Sequence, residues 1–189
     1  MDKKMKSTRE FDVKILTKMA LFLALIIVSG MIAIPVPAIG VPVVLQNMII
    51  MLTAGFLGKK YGTITIGMFL ALVFMGVPIL SGGRGGLAVL FSPSGGFLIG
   101  FLLCGFIICP ILEKIGSDTY WKILLAFIVG GALFINILGS FTLAYFSHQS
   151  LWTGLKMAAF FVPIDIGKSI IAAIIYQRLK KYTVSGEAK

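Results

Sequence analysis

Long apolar runs, separated by short clusters of charge, glycine or proline, organise this chain. A helix needs ~20 apolar residues to cross the ~30 Å hydrocarbon layer of a bilayer. The first run extends from Ile15 to Ile34, interrupted only by Thr17 and Lys18 near its start. The second covers about 41–57, short but uncharged, and the third about 61–80. The fourth covers about 95–112, and the fifth, the longest, about 121–146. The sixth ends near Tyr176, and its start has two readings. It begins near Gly154 and kinks at Pro163, or it begins at Pro163 itself, where proline suits a first helical turn. The pattern predicts an all-α integral membrane protein with six transmembrane helices.

Composition agrees. Of 189 residues, 58% are hydrophobic and 13% charged, with a mean hydropathy of +1.02. A soluble domain carries ~25% charged residues to cover its surface. Six spans also leave almost no residues for a soluble domain.

The basic residues add an orientation. Lys3, Lys4, Lys6, Arg9, Lys14 and Lys18 precede or open the first span. Lys59 and Lys60 separate the second from the third, Lys114 and Lys122 the fourth from the fifth, and Arg178, Lys180, Lys181 and Lys189 follow the sixth. Fourteen of the 17 basic residues therefore fall on one side. By the positive-inside rule that side, with both termini, is cytoplasmic. The expected organisation is one membrane domain over 1–189, with a cytoplasmic N-terminal segment at 1–14, a six-helix core at 15–177 and a cytoplasmic tail at 178–189. The net charge of +10 then reflects topology, and nucleic-acid binding is not needed to explain it. A cleaved signal peptide is not expected. Val36-Pro37-Ala38 faintly resembles a cleavage site, but the preceding run is longer than a signal core of 7–15 residues.

The loops opposite the basic side, about 35–42, 81–94 and 147–153, contain one basic residue, Arg84. The first, from Pro35 to Pro42, has three prolines; it is stiff, extended and apolar, so it dips back into the membrane or covers something. The second, Ser81-Gly82-Gly83-Arg84-Gly85-Gly86 onward to Gly96, places a short apolar segment between two glycine clusters. Glycine permits close backbone approach to a ligand, and exposed amides bind anions. A plain flexible connector is the other reading, and the isolated Arg84 favours a ligand.

Asp165 and Lys168 are opposite charges inside the apolar stretch 160–175. A spacing of three places them on one face of a helix. An ionised group at the centre of the hydrocarbon costs ~2.5–3.5 kcal/mol even on lenient insertion scales, which makes the pair a functional-site candidate. The alternative is an ion pair that only locks two helices.

Other signals carry less. Gly167-Lys168-Ser169 ends like a Walker motif, but the first glycine of that motif would fall at Val162, inside a membrane helix. Cys104 and Cys109 lack metal-ligand spacing and read as packing residues. His148 has no carboxylate partner in sequence. No catalytic cluster, cofactor or metal site is expected. Ala20 and Ala24 are small residues four apart that let another helix approach closely, and Gly96 and Gly100 repeat the spacing.

Four segments together resemble one family: Val41-Pro42-Val43-Val44-Leu45-Gln46-Asn47-Met48; Gly76-Val77-Pro78-Ile79-Leu80-Ser81-Gly82-Gly83-Arg84-Gly85-Gly86; Ser92-Pro93-Ser94-Gly95-Gly96-Phe97; and Val162-Pro163-Ile164-Asp165-Ile166-Gly167-Lys168. The chain resembles the BioY family, the biotin-binding S components of energy-coupling factor (ECF) transporters, over nearly its whole length. The resemblance implies a vitamin-binding subunit of the bacterial plasma membrane, working with a transmembrane coupling subunit and two cytoplasmic ATPase subunits. Ala20 and Ala24 match the surface that S components present to the coupling subunit. Biotin offers two ureido N–H donors at one end and a carboxylate at the other. On this reading Asp165 accepts from the ureido group and Lys168 donates to the ligand and balances the aspartate. Arg84 takes the carboxylate with help from the amides of Gly82, Gly83, Gly85 and Gly86, and Gln46 and Asn47 add polar contacts. Some relatives carry a basic residue where this chain has Leu98, so Arg84 substitutes for it here. Two other readings remain open: an S component for another vitamin, and a self-sufficient secondary transporter, although no inverted repeat is evident.

Overall fold

The computed structural model describes residues 2–182, with side chains from Val13 onward. Lys189, expected in the cytoplasmic tail, and the side chains of Lys3, Lys4, Lys6 and Arg9 lie outside that description. Helix α1 (Asp2–Gly30) leads into a two-stranded antiparallel pair, β1 (Ala33–Ile34) and β2 (Val43–Val44). There follow α2 (Gln46–Phe74), α3 (Gly95–Leu103), α4 (Gly105–Ile115), α5 (Tyr120–Phe127), a π turn (Ile128–Leu133), α6 (Phe134–Phe146), α7 (Leu151–Ala159) and α8 (Val162–Leu179).

The stretch α2 comprises two helices that meet at a kink. Gly58 inside it has φ 72° and ψ 179°, a backbone that side-chain-bearing residues avoid. The chain reverses there. A Cβ on Gly62 would lie 3.1 Å from the Ala54 Cα and the Thr53 carbonyl oxygen, whereas eight residues of straight helix would separate them by ~12 Å. The two arms, 46–57 and 59–74, supply the second and third expected spans. The fourth is α3 with α4, continuous through a helical Cys104 (φ −58°, ψ −32°). The fifth is the 27-residue stretch Tyr120–Phe146. The sixth is α7 with α8, bent by 47°. With α1, six helical passes fit this arrangement.

The boundaries move where local chemistry overrides hydrophobicity. The second span starts at Gln46 rather than 41, because Pro42 and pairing with Ala33–Ile34 keep 41–44 extended. The third stops at Phe74 rather than 80, because Gly76 turns at φ 100° and Pro78 follows. The sixth combines both of its expected readings. An α7 segment precedes a bend at Phe160–Phe161, and α8 opens with Pro163 in its first turn.

Loops 31–45 and 75–94 meet at one end of the bundle, where Gln46 at the start of α2 and Ile79 beyond its end both lie against Gly30. The basic residues mark the other end. Lys18 Nζ donates to the Tyr182 carbonyl and Lys180 Nζ to the Ser117 carbonyl, each at 3.0 Å. In the same turn, hydrogen bonds from Lys122 and Thr119 hold the exposed Asp118 carboxyl below the usual carboxylate range.

Glycines let the helices come close enough to build a site. A Cβ on Gly131 would press into Met51, one on Gly139 into the Phe97 ring, and one on Gly96 into the Leu138 carbonyl oxygen. We expect Gly96→Ala to destabilise the protein by about 1–3 kcal/mol, because backbone must move. Gly67→Ala, whose added carbon would sit 3.7 Å from a Leu102 methyl group, is expected to leave stability unchanged. Thermal unfolding of both variants in detergent checks the pair; equal midpoints would contradict the packing described.

Candidate binding site

Asp165 lies in the first turn of α8, where the positive end of the helix dipole favours an acidic group. It is 4% exposed, and three donors from three parts of the chain converge on its carboxylate. Asn47, the second residue of α2, donates Nδ2 to Oδ1 at 2.7 Å; Lys168 Nζ donates to the same oxygen at 2.9 Å. Asn136 of α6 donates its Nδ2 to Oδ2 at 2.7 Å.

Lys168 is equally engaged. Beyond Asp165, its ammonium donates to the Val44 carbonyl at 2.6 Å and to Asn47 Oδ1 at 3.0 Å. These three bonds use its three protons. Asn47 is therefore bifunctional, donating to the aspartate and accepting from the lysine. The expected pair on one helix face is present, and it is held by α2, α6 and the end of β2 as well as by itself.

These groups line one side of a pocket with about 560 Å³ of empty space. Its other walls are apolar and aromatic: Phe97 and Phe101 from α3, Ile135 from α6, Phe161 before α8, and Val41 from the first loop. Phe97 and Phe161 meet edge to face with centroids 5.8 Å apart. Leu98, 3% exposed, also faces the pocket. Gln46 lines it too, with its Nε2 donating to the Ile26 carbonyl at 2.9 Å and so tied to α1.

Arg84 belongs to the same pocket and lies among the loops that cover it. Its Nε donates to the Ser81 carbonyl at 3.1 Å, Nη2 to Ser81 Oγ at 3.3 Å and Nη1 to Ser94 Oγ at 3.5 Å. The guanidinium thus straps the two ends of the glycine loop together. It also borders a second, outer and more open hollow with about 800 Å³ of empty space between loop 31–42 and the glycine loop.

The glycines divide. Gly82 lines the outer cavity only. Gly83, Gly85 and Gly86 line neither cavity and shape the turn: the Gly83 and Gly86 amides donate to the Leu80 and Val73 carbonyls, and Gly85 packs on the Val77 carbonyl. Ala20 and Ala24 are exposed on α1, outside the linings of both cavities.

Asn136, Ser81 and Ser94 join these groups without having stood out as site residues in the sequence. Asn136 is the one amide in the fifth apolar run, and the rule that polar groups in a membrane span mark function applies to it as it does to Asp165. The serines carried no signal of their own.

Comparison with known proteins places these features in a family. The family model described as the BioY family matches residues 1–184. A biotin transporter BioY from Lactococcus lactis subsp. cremoris is 40% identical over 178 residues, covering 92% of this chain and 94% of the relative. A biotin transporter BioY from Thermotoga maritima is 38% identical over 172 residues, 89% of this chain and 97% of the relative. Among solved structures, the S-component for biotin from an ECF-type ABC transporter superposes with a TM-score of 0.85 at 40% identity, over 90% of this chain and 92% of that one. With its fold and nearly its full length matched, this chain belongs to the BioY family.

Proposed function

We propose that this chain is the biotin-binding S component of an ECF-type vitamin importer. It takes biotin from the side covered by loops 31–45 and 75–94. It delivers the vitamin inward together with a transmembrane coupling subunit and two cytoplasmic ATPase subunits. It is a transporter component of the bacterial cell membrane and not an enzyme. The observation that carries the reading is the polarity of the pocket: a buried carboxylate–ammonium pair on one wall, aromatic walls, and one arginine among the covering loops.

Biotin has the matching polarity. Its ureido ring brings N–H donors and a carbonyl acceptor, its sulfur ring is apolar, and its tail ends in a carboxylate. Asp165 accepts one ureido N–H, and Lys168 and Asn47 give up part of their mutual bonding to the ligand. The sulfur ring lies against Phe97 and Phe161. Charge-assisted hydrogen bonds in a dry pocket are short and strong. An aspartate left unpaired there would be costly, which is why Asn47 and Lys168 hold it in the free protein. Arg84 receives the carboxylate by exchanging its long bonds to Ser81 and Ser94 for a charged partner. That role falls to Arg84 because Leu98 offers no cation.

The charge distribution supports an orientation with both termini cytoplasmic. Lys18, Lys59, Lys60, Lys114, Lys122 and Lys180 lie toward one end, and the pocket opens toward the other. The exposed Ala20 and Ala24 give α1 a shallow face for the coupling subunit.

Hydrogen bonds to charged groups contribute about 1.5–3 kcal/mol, or roughly ten- to a hundredfold in affinity. Asp165→Asn and Lys168→Ala are each expected to weaken biotin binding by that factor in calorimetric titration; unchanged affinity in both would end the assignment. Arg84→Ala should weaken biotin about tenfold and leave the neutral biotin methyl ester unaffected. An equal loss for acid and ester would remove Arg84 from the carboxylate. Reconstituted vesicles should take up biotin only with the coupling and ATPase subunits and ATP present. ATP-independent uptake by this chain alone would mark a secondary transporter, and tight binding of another vitamin would mark a different substrate.

A further inference from the structure

We infer that Asn136 is a positioning residue for the substrate, acting through Asp165 without touching the ligand; the inference rests on the biotin reading of Asp165 given above. The two oxygens of that carboxylate are not held alike. Oδ1 takes Asn47 and Lys168, whereas Oδ2 has one hydrogen-bond partner among the described residues, Asn136 Nδ2 at 2.7 Å. Rotation about the last bond of an aspartate is broad and roughly two-fold. The Asn136 bond therefore fixes the plane in which the carboxylate meets an incoming N–H.

The orientation of the Asn136 amide is set by its surroundings. Nδ2 donates to both the Ala132 carbonyl and Asp165 Oδ2, each at 2.7 Å. Turning the amide over would set its oxygen against two acceptors. The opposite atom, Oδ1, is buried with no hydrogen-bond partner in the free protein. A buried unpaired acceptor is unfavourable, so packing alone does not account for an asparagine here. Asn136 is 2% exposed and absent from the pocket lining, although its neighbour Ile135 faces the pocket. It reaches the substrate only through Asp165.

The backbone before it serves the same placement. The π turn Ile128–Leu133 ends three residues ahead of Asn136. A π turn inserts one residue relative to an α-helix, which rotates everything after it by ~100° about the helix axis. Gly130 and Gly131 in that turn let the span press against Ile108 and Met51, bringing α6 within reach of α8.

Serine at 136 separates the two bonds of Nδ2. Its hydroxyl can still donate back to the Ala132 carbonyl, as helical serines do, but it is too short to reach Asp165. The test is a double-mutant cycle on the full-length protein in detergent: wild type, Asn136→Ser, Asp165→Asn and the double variant, titrated with biotin up to millimolar concentration and scanned for thermal unfolding. Asn136→Thr takes the place of serine if that variant does not fold. The expected result for Asn136→Ser is a near-wild-type melting temperature with affinity weakened about tenfold or more, and less than a twofold further effect in the Asp165→Asn background. Wild-type affinity in Asn136→Ser, or a loss of the same size with and without Asp165, would overturn the inference while leaving the Asp165 reading intact. Wild-type affinity in Asp165→Asn alone would overturn both.

Discussion

One buried carboxylate constrains much of this fold. Asp165 is 4% exposed within an otherwise apolar stretch of a membrane protein, where a lone charge is unfavourable. Its charge is therefore met from several directions at once: Lys168 one turn along α8, Asn47 from the first turn of α2, and Asn136 from α6. Each partner belongs to a different pass or a different turn, so the helices have to be placed to within hydrogen-bond distance of one point. The same lysine holds the Val44 carbonyl, which ties the first covering loop to the network. Pocket wall, helix packing and loop attachment thus share one set of bonds.

Close helix approach makes this placement possible. Glycines at 96, 131 and 139 sit where an added carbon would meet a carbonyl oxygen, a methionine or an aromatic ring. The reversal at Gly58 folds α2 back on itself, so that Gln46 and Asn47 at its start and Leu80 and Ser81 beyond its end all line the pocket. The bend between α7 and α8 sets Phe161 into the pocket wall and lets α8 begin just before Asp165. The π turn before Asn136 and the bend before Asp165 both lie next to the polar groups they bring together.

Much of this was legible in the sequence, unevenly. The six apolar runs and the Asp165–Lys168 pair stood out because hydrocarbon makes length and charge unambiguous. Asn47 was marked by its place in a familiar segment, and its double role appeared only in three dimensions. Span ends were missed at 41–45 and 75–80, since both are as apolar as a helix interior. Proline, positive-φ glycine and a two-residue strand pairing end the helices there, and hydropathy does not register them. The glycine loop was expected to present amides to an anion. The described hydrogen bonds instead use Gly83 and Gly86 to close the turn, leaving Arg84 as the charged group of that loop at the pocket. Asn136 was legible in principle, as a single amide deep in the fifth run, but nothing in the sequence pairs it with a residue 29 positions away.

In the proposed mode of binding, the polar wall around Asp165 receives the ureido ring while Arg84 receives the tail. A crystal structure of the protein with biotin tests it most directly. One ureido nitrogen should lie within about 3.2 Å of the Asp165 carboxylate, with the sulfur ring against Phe97 and Phe161 and the carboxylate on Arg84. A biotin ring seated in the outer cavity between loops 31–42 and 81–84, or inverted with its carboxylate on Lys168, would contradict it.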